Sequence, residues 1–244
     1  MGKTSLAVNY AYLCAKAGNR TLLWDLDPQA SATYIMRVDD KLAPNSKTLL
    51  NKKVELEELA VRSNFDSLLV VPASYQLRLL SEQIFDNSKG PNAIERAAKS
   101  ARVAFDTVVI DAPPSLNSLS DSVLGAIDLL CIPLQPSALA HHSLESLAHH
   151  LDQINLIGKT LGIYNMVDMR RAGHKAAIKA IGNFGKISML DAYIPYSADV
   201  ERMALERNPI FELSVRSRSV TAFEELYRAI GEKLSGKAPK PGKK

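Results

Sequence analysis

The sequence has no apolar run of membrane-spanning length, and it is poor in cysteine and tryptophan. A transmembrane helix needs about 20 consecutive apolar residues, and no segment of this chain approaches that length. The 244 residues include two cysteines and one tryptophan. Two cysteines are too few for a disulfide scaffold. Because Cys14 and Cys131 both lie inside apolar segments, we expect packed thiols in a reducing cytosol.

The remaining composition is that of an ordinary globular protein. Hydrophobic residues make up 46% of the chain and charged residues 23%. A chain of 244 residues is long enough to bury a sizeable core and fits one large α/β domain better than two small ones. The formal net charge of +4 permits an acidic partner such as DNA without requiring one.

Short aliphatic runs alternate with helical patterns along the chain, which predicts an α/β fold with a doubly wound, mostly parallel sheet flanked by helices. The predicted strands are 21–26, 67–71, 107–110, 128–134, 162–167 and 189–194. The predicted helices are 5–17, 75–85, 93–101, 138–157, 174–183 and 220–234. Residues 39–54 are predicted to be a surface excursion. We expect one domain over residues 1–234, followed by a disordered basic tail at 235–244.

The chain opens with Gly2-Lys3-Thr4-Ser5, directly before an apolar helical pattern. A phosphate site needs backbone N–H groups at a helix N-terminus, a lysine near the β/γ oxygens and a hydroxyl that ligates Mg²⁺. Lys3 and Thr4 fit the last two roles. The tetrapeptide is not specific by itself, because an exposed, frayed N-terminus could carry the same residues.

Carboxylates stand where two of the predicted strands end. Asp25 and Asp27 close the strand in LLWDLDPQ, and Asp111 follows four β-prone residues in DTVVIDAPP. Burying two carboxylates at one strand end costs desolvation free energy unless a metal, a water or a cation lies beside them. A turn capped by Asp27 would explain one of that pair but not both. A carboxylate in the position of Asp111 can hold Mg²⁺ beside phosphates, usually through water.

Taken in order, the three motifs resemble those of the ParA-type partition ATPases, which belong with the MinD-type proteins to the deviant Walker-motif ATPases. The resemblance continues through later segments of the chain, which are CIPLQPSALAHHSLESL, NMVDMRR, AYIPYSADVERMALERNPIF and SVRSRSVTAFEELYRAI. It implies a P-loop NTPase-like fold, with ATP and Mg²⁺ as cofactors. The strand that precedes the loop in the family is missing from this sequence.

The resemblance assigns nucleotide-binding roles to the residues at the start of the chain, which are Gly2, Lys3, Thr4 and Ser5. Lys3 would contact the β/γ-phosphates, and Thr4 would ligate Mg²⁺. Asp111 would hold the coordination shell of this Mg²⁺ ion. Asp27 would orient the attacking water, so Asp27 and Lys3 are the implied catalytic residues.

Further roles implied by the resemblance fall in the C-terminal half. Asp168 and Pro195 correspond to contacts with the nucleotide base, while Arg216 and Arg218 correspond to contacts with DNA phosphates. Many partition ATPases have an arginine after this Ile-Pro, but here Tyr196 takes the place. One cationic DNA contact of the family is therefore absent at that position.

Family members read KGGxGKT[ST], whereas this chain starts one residue before GKT. The signature lysine, the two glycines and the strand that feeds the loop are not in the sequence. Met1 stands where the family commonly has valine, which is what a start assigned to an internal GTG codon would produce. We therefore expect an N-terminally truncated gene model. An in-frame stop directly upstream, with no strand-plus-KGG coding segment, would contradict this expectation.

The resemblance implies an ATP-dependent homodimeric switch that binds DNA non-specifically and positions a plasmid, chromosome or other cargo, with a ParB-type or cargo-adaptor partner. It implies a cytoplasmic, nucleoid-associated protein. We expect no membrane partner, because the tail has lysine and proline without apolar residues. Two alternatives remain open at this point. One is a degenerate scaffold that works without nucleotide, and the other is a biosynthetic ligase of the dethiobiotin-synthetase type.

Overall fold

The computed structural model describes residues 2–51, 54–86, 91–113, 122–179, 186–213 and 216–235. The described residues form two compact units, one within Thr4–Ile127 and Glu201–Leu213 and the other within Met1–Lys3, Asp128–Val200 and Ser214–Lys244. We call them the β1–β4 unit and the β5–β7 unit, after the strands they contain. No helix within the described ranges has both the length and the apolar character needed to cross a membrane.

The β1–β4 unit contains a four-stranded sheet in the order β2-β3-β1-β4. Its strands are β1 (Thr21–Asp25), β2 (Val61–Arg62), β3 (Leu68–Val71) and β4 (Thr107–Asp111). The central strand β1 pairs in parallel with both β3 and β4, and the short β2 pairs antiparallel with β3. All five residues of β1 are buried, as expected for a strand covered on both faces.

Among the described residues, the helices in this part of the chain include α1 (Lys3–Lys16), α2 (Ser31–Ile35), α3 (Ser46–Leu50), α4 (Leu80–Asp86) and α5 (Pro91–Ala104). Trp24 of β1 is fully buried in a core shared with Leu80, Ile84 and Ile94 from α4 and α5. Burying such side chains stabilises the fold by about 1.5–3 kcal/mol each. The core therefore fixes β1, and with it the carboxylates at its end.

The β5–β7 unit contains a parallel three-stranded sheet in the order β5-β6-β7. Its strands are β5 (Leu130–Leu134), β6 (Thr160–Val167) and β7 (Ser188–Pro195). Further helices of the described residues are α6 (Ala138–Gln153), α7 (Ala172–Lys179), α8 (Ala198–Glu206) and α9 (Arg218–Leu234), and from Glu201 onward α8 belongs to the β1–β4 unit. The amphipathic α9 packs against β7 and buries an apolar stripe that includes Phe223 and Leu226.

The six predicted strands and the mostly parallel α/β class are confirmed, and each strand ends within two residues of its predicted bounds. Among the described residues, the strand β2 and the helices α2, α3 and α8 were not predicted. The surface-excursion prediction for 39–54 is wrong in part, because this segment forms a 3₁₀ turn and α3, and Leu49 packs into the core. The predicted end of helix 174–183 and the predicted tail 235–244, apart from Ser235, lie outside the described residues.

Two helix predictions need correction. The pattern at 75–85 is a 3₁₀ helix over Tyr75–Leu79 followed by α4. The helix predicted over 138–157 stops at Gln153, because Asn155 adopts a left-handed conformation with φ 57°. The N–H groups of Asn155 and Leu156 then donate to carbonyls of the last turn, which is the usual way that a left-handed residue closes a helix.

Candidate nucleotide site

Two carboxylates meet at the carboxyl edge of the β1–β4 sheet. Asp25 and Asp111 are register partners at the ends of the neighbouring parallel strands β1 and β4, and the Leu26 N–H donates to the Asp111 carbonyl at 2.9 Å. Both aspartates are buried, with exposures of 0% and 2%. In the sheet, β3 lies on one side of β1 and β4 lies on the other side, so the order of the strands reverses at β1. Ligands of open α/β sheets bind at such a reversal of strand order.

The Asp25 carboxylate is held inside this edge by hydrogen bonds from the chain that follows it. Its Oδ1 accepts from the Asp27 N–H at 3.1 Å, and its Oδ2 accepts from the N–H and the hydroxyl of Thr33 at 2.9 and 2.8 Å. Burial raises the pKa of Asp25 to about 6, although the bonds from Thr33 and Asp27 oppose that rise. The buried Asp25 carboxylate therefore holds the loop that follows β1 through these hydrogen bonds.

Asp27 stands two residues further on and is only half-buried, so its carboxylate is open to solvent molecules. Its Oδ1 accepts from the Gln29 N–H at 2.9 Å, and its carbonyl accepts from the Ala30 N–H at 2.8 Å. These two bonds fold residues 27–30 into a tight turn. The side chain predicted to orient water is therefore presented on a hydrogen-bonded loop.

The residues predicted to bind phosphate open α1. Gly2 has a φ of 81°, a left-handed conformation that suits glycine, and Lys3, Thr4 and Ser5 form the first residues of the helix. The first turn has no acidic residue, so nothing in it neutralises the positive end of the helix dipole. A helix start of this kind binds anions through its N–H groups. Thr4, Asp27 and Asp111 belong to the same unit.

Within the β5–β7 unit, the two predicted base contacts line one open cleft of about 750 Å³. Asp168 follows β6, and Pro195 is the last residue of β7. The two strand ends are neighbours, because Val167 is the register partner of Pro195 and the Tyr196 N–H donates to the Val167 carbonyl at 2.9 Å. The sheet thus brings these two predicted residues together.

Arg170 binds the Asp168 carboxylate with both arms of its guanidinium group, at 2.9 Å to each oxygen. The hydrogen bonds from Arg170 lower the pKa of Asp168 to about 2. The Arg170 side chain is 86% exposed, and an exposed ion pair contributes little to stability. A ligand that binds the Asp168 carboxylate therefore has to displace only the weakly held guanidinium group of Arg170.

The two predicted DNA-binding arginines flank the start of α9. Arg216 is exposed in the preceding turn, and Arg218 is the first residue of the helix and lines the same cleft as Asp168. Ser217 caps the helix by accepting from the Ser219 N–H at 3.2 Å. A cation in the first turn opposes the helix dipole. The stability of the helix therefore does not explain why an arginine stands at position 218, whereas a contact with an anionic ligand would explain it.

Sequence reasoning missed Thr33, whose N–H and hydroxyl both bind Asp25. Its only signal is its position eight residues after Asp25 in DLDPQASAT, at the start of a helix too short to show periodicity. In the β5–β7 unit, the Nε2 atom of His141 in α6 lies 2.7 Å from the Tyr164 hydroxyl oxygen.

The family model described as "AAA domain" matches residues 1–163 of the chain. The chain is 27% identical over 247 residues to the chromosome partitioning protein ParA of Myxococcus xanthus, covering 98% of this chain and 87% of that protein. It is 24% identical over 239 residues to the sporulation initiation inhibitor protein Soj of Bacillus subtilis, covering 94% and 93%.

Solved structures show the same fold. The cell division ATPase MinD of Pyrococcus furiosus superposes with a TM-score of 0.76 at 21% identity, covering 95% of this chain and 93% of that one. Cobyrinic acid a,c-diamide synthase from Mycobacterium smegmatis, solved with an ATP analog and magnesium, gives a TM-score of 0.80 at 22% identity, covering 100% and 94%. The chain therefore belongs to the AAA domain family, as a ParA-type member, which is the group that its three motifs predict.

Proposed function

We propose that this protein is an ATP-dependent dimerising switch that binds DNA non-specifically and hydrolyses ATP to partition or position a large cargo. The observation that carries the proposal is the pairing of Asp111 with the loop of Asp27 at the carboxyl ends of two adjacent parallel strands. The relatives named as ParA, Soj and MinD support partition or positioning as the class of activity.

The donor set at this edge suits Mg²⁺, which prefers hard oxygen ligands. The Thr4 hydroxyl and the Asp111 carboxylate would hold the ion. When bound, Mg²⁺ supplies positive charge that neutralises the phosphate oxygens. The start of α1 supports the same assignment, because its N–H groups and Lys3 provide further positive charge for a triphosphate.

Asp27 would act on water rather than on the nucleotide. Its carboxylate accepts a hydrogen bond from the attacking water and holds it in line, while the turn at 27–30 keeps the side chain in place. Lys3 would stabilise negative charge on the transferred phosphoryl group as a point charge. Asp168 and Pro195, which line one cleft of the β5–β7 unit, are the proposed contacts of the nucleotide base.

DNA would bind through summed phosphate contacts rather than by reading bases. Arg216 and Arg218 are both exposed at the start of α9, and the chain has a net charge of +4. Contacts of this kind are independent of sequence and weaken as salt rises. A ParB-type or cargo-adaptor protein is the proposed partner that stimulates hydrolysis.

The test is steady-state phosphate release with ATP and Mg²⁺, measured for the wild-type chain and for Asp27→Ala. The variant should keep ATP binding but lose about 100-fold or more in kcat, the range associated with positioned acid–base groups. Asp66→Ala is the matched control, because Asp66 is an exposed carboxylate of the same unit. Equal kcat in wild type and Asp27→Ala would contradict the proposed role of Asp27.

Two further measurements separate the alternatives. A wild-type chain that binds no ATP at equilibrium would support the nucleotide-independent scaffold and overturn the switch. Hydrolysis that responds to duplex DNA supports the partition activity. Hydrolysis that responds only to a small carboxylic acid or amine would support the ligase.

A further inference from the structure

A network of four hydrogen bonds closes the loop that carries Asp27 and links this loop to the segment that follows β3. Three of them converge on Asp25, from Asp27 and Thr33. The fourth runs from the Ala73 N–H to the Thr33 hydroxyl at 2.9 Å. Because Ala73 lies just beyond β3, the network joins the end of β1, the start of α2 and the segment after β3.

The network replaces a missing helix cap. Ala30 occupies the N-cap position of α2 in a left-handed conformation with φ 53°, and it makes no side-chain cap hydrogen bond. The first N–H groups of a helix need partners from outside the helix. The Asp25 carboxylate supplies one, since it accepts from the Thr33 N–H at the third helical position. The loop therefore depends on Asp25 for its closure.

Neither Asp25 nor Thr33 is placed to touch a reacting atom, because their exposures are 0% and 1%. Their burial also makes the network sensitive to substitution, because a buried donor that loses its partner destabilises the fold. The geometry points to Asp25 and Thr33 as positioning residues that hold the 26–30 loop in place, so that Asp27 keeps the orientation hydrolysis requires. This inference rests on the proposed function and deepens the role given there to Asp27.

Two substitutions at Thr33 test the network, because one removes the hydroxyl group and the other keeps it. Thr33→Val keeps the shape of the side chain but removes the hydroxyl, which leaves the Ala73 N–H without its acceptor and Asp25 with one donor fewer. Thr33→Ser keeps the hydroxyl and should keep both bonds. Thr160→Val is a matched control, because Thr160 is also 1% exposed and its hydroxyl donates to the Leu156 carbonyl in the other unit.

The experiment measures two quantities on the full chain and on the three variants. Hydrogen exchange followed by mass spectrometry reports the amides of residues 26–33 and of Ala73. Steady-state kinetics separates kcat from KM for ATP. In Thr33→Val we expect faster exchange in both segments and a kcat lower by about 10- to 100-fold, because small misplacements of catalytic groups have effects of this size. KM should change by less than about threefold, since Asp25 and Thr33 are buried and are proposed to act through Asp27 rather than on the nucleotide.

Thr33→Ser should restore wild-type exchange and kcat, and Thr160→Val should leave both unchanged. Unchanged exchange in Thr33→Val overturns the inference whether or not the chain is active. A wild-type kcat in Thr33→Val, an equal loss in Thr160→Val or a failed rescue by Thr33→Ser overturns it too. A wild-type chain without hydrolysis overturns the proposed function instead, while the exchange comparison still decides whether Thr33 holds the loop.

Discussion

Asn9 lies fully buried in α1, and its polar atoms bind three other groups of the β1–β4 unit. Its Oδ1 accepts from the Ile210 N–H at 2.9 Å, and its Nδ2 donates to the Ser5 carbonyl at 2.8 Å and to Met203 Sδ at 3.2 Å. One side chain thus links the N-terminal helix to the 201–213 segment. No apolar residue could make these links, because the backbone groups need a polar partner.

Asn9→Leu should therefore destabilise the protein by about 2–4 kcal/mol, since the Ile210 N–H stays buried without an acceptor. Urea unfolding measures the change. Asn92→Leu, at an exposed position of α5, provides the control and should shift the free energy of unfolding by less than about 0.5 kcal/mol. Equal effects of the two substitutions would show that Asn9 is not a link of this kind.

Cys14 yields a prediction about reactivity and pH. Its side chain is 2% exposed, and burial raises the pKa of the thiol to about 11, against hydrogen bonds with Tyr10 and Thr107 that lower it. Only the thiolate reacts, so this raised pKa makes alkylation near pH 8 at least about 100-fold slower than in the unfolded chain. The rate should keep rising with pH beyond pH 9 in the folded protein.

Iodoacetamide labelling, followed by mass spectrometry of the Cys14 peptide, measures this rate in buffer and in urea. The unfolded chain serves as the reference, because its thiol titrates near the ordinary pKa. Similar rates in the two states, or a plateau below pH 9 in the folded protein, would contradict the prediction.

At the scale of elements, two arginines join the C-terminal ends of α2 and α8. Arg37 and Arg207 both adopt left-handed conformations, with φ 57° and 51°, and each closes its helix. Arg37 donates to the carbonyls of Arg207 and Glu206 at 2.9 and 2.8 Å, while Arg207 donates to the Tyr34 carbonyl at 2.9 Å and stacks over the Tyr34 ring. The two helix ends therefore cap each other.

Substitutions at Arg37 can separate backbone strain from hydrogen bonding. Arg37→Ala removes both donated bonds and keeps a Cβ in the left-handed region, so we expect a loss of about 1–2 kcal/mol. Arg37→Gly removes the same bonds but relieves the steric cost of about 1 kcal/mol, so its loss should be smaller. Urea midpoints of the two variants provide the comparison. A glycine variant less stable than the alanine variant would contradict this explanation of the helix end.

The same elements show how far the sequence could predict the structure. Within the described ranges, long apolar runs such as the one ending at Asp25 identified the strands other than β2, because burial on both faces leaves a continuous pattern. Short elements such as α2 are held by partners distant in sequence, including Arg207, and carry no periodicity of their own. Asp25, Asp27 and Asp111 could be predicted to share one edge, since strand ends meet there. Thr33 could not, because its role depends on Ala73, forty residues away.

At the scale of the whole molecule, the net charge of +4 and the exposed arginines near α9 predict salt-dependent binding to duplex DNA. Each phosphate contact releases counterions, so the logarithm of the binding constant falls with the logarithm of salt by about 0.9 per contact. The double variant Arg216→Ala, Arg218→Ala should therefore lower the slope by about 2 and weaken binding similarly for unrelated sequences. Fluorescence anisotropy with two duplexes of different sequence at 50–200 mM salt measures both quantities.

Lys41→Ala, Lys47→Ala is the matched control, because it removes the same charge from exposed positions of the β1–β4 unit. If net charge alone governed binding, the two double variants would weaken it equally and share one salt slope. If Arg216 and Arg218 contact phosphates, only their removal changes the slope by about 2, while the lysine variant keeps the wild-type slope. The slope is therefore the deciding quantity, since affinity at one salt concentration responds to both the local contacts and the overall charge.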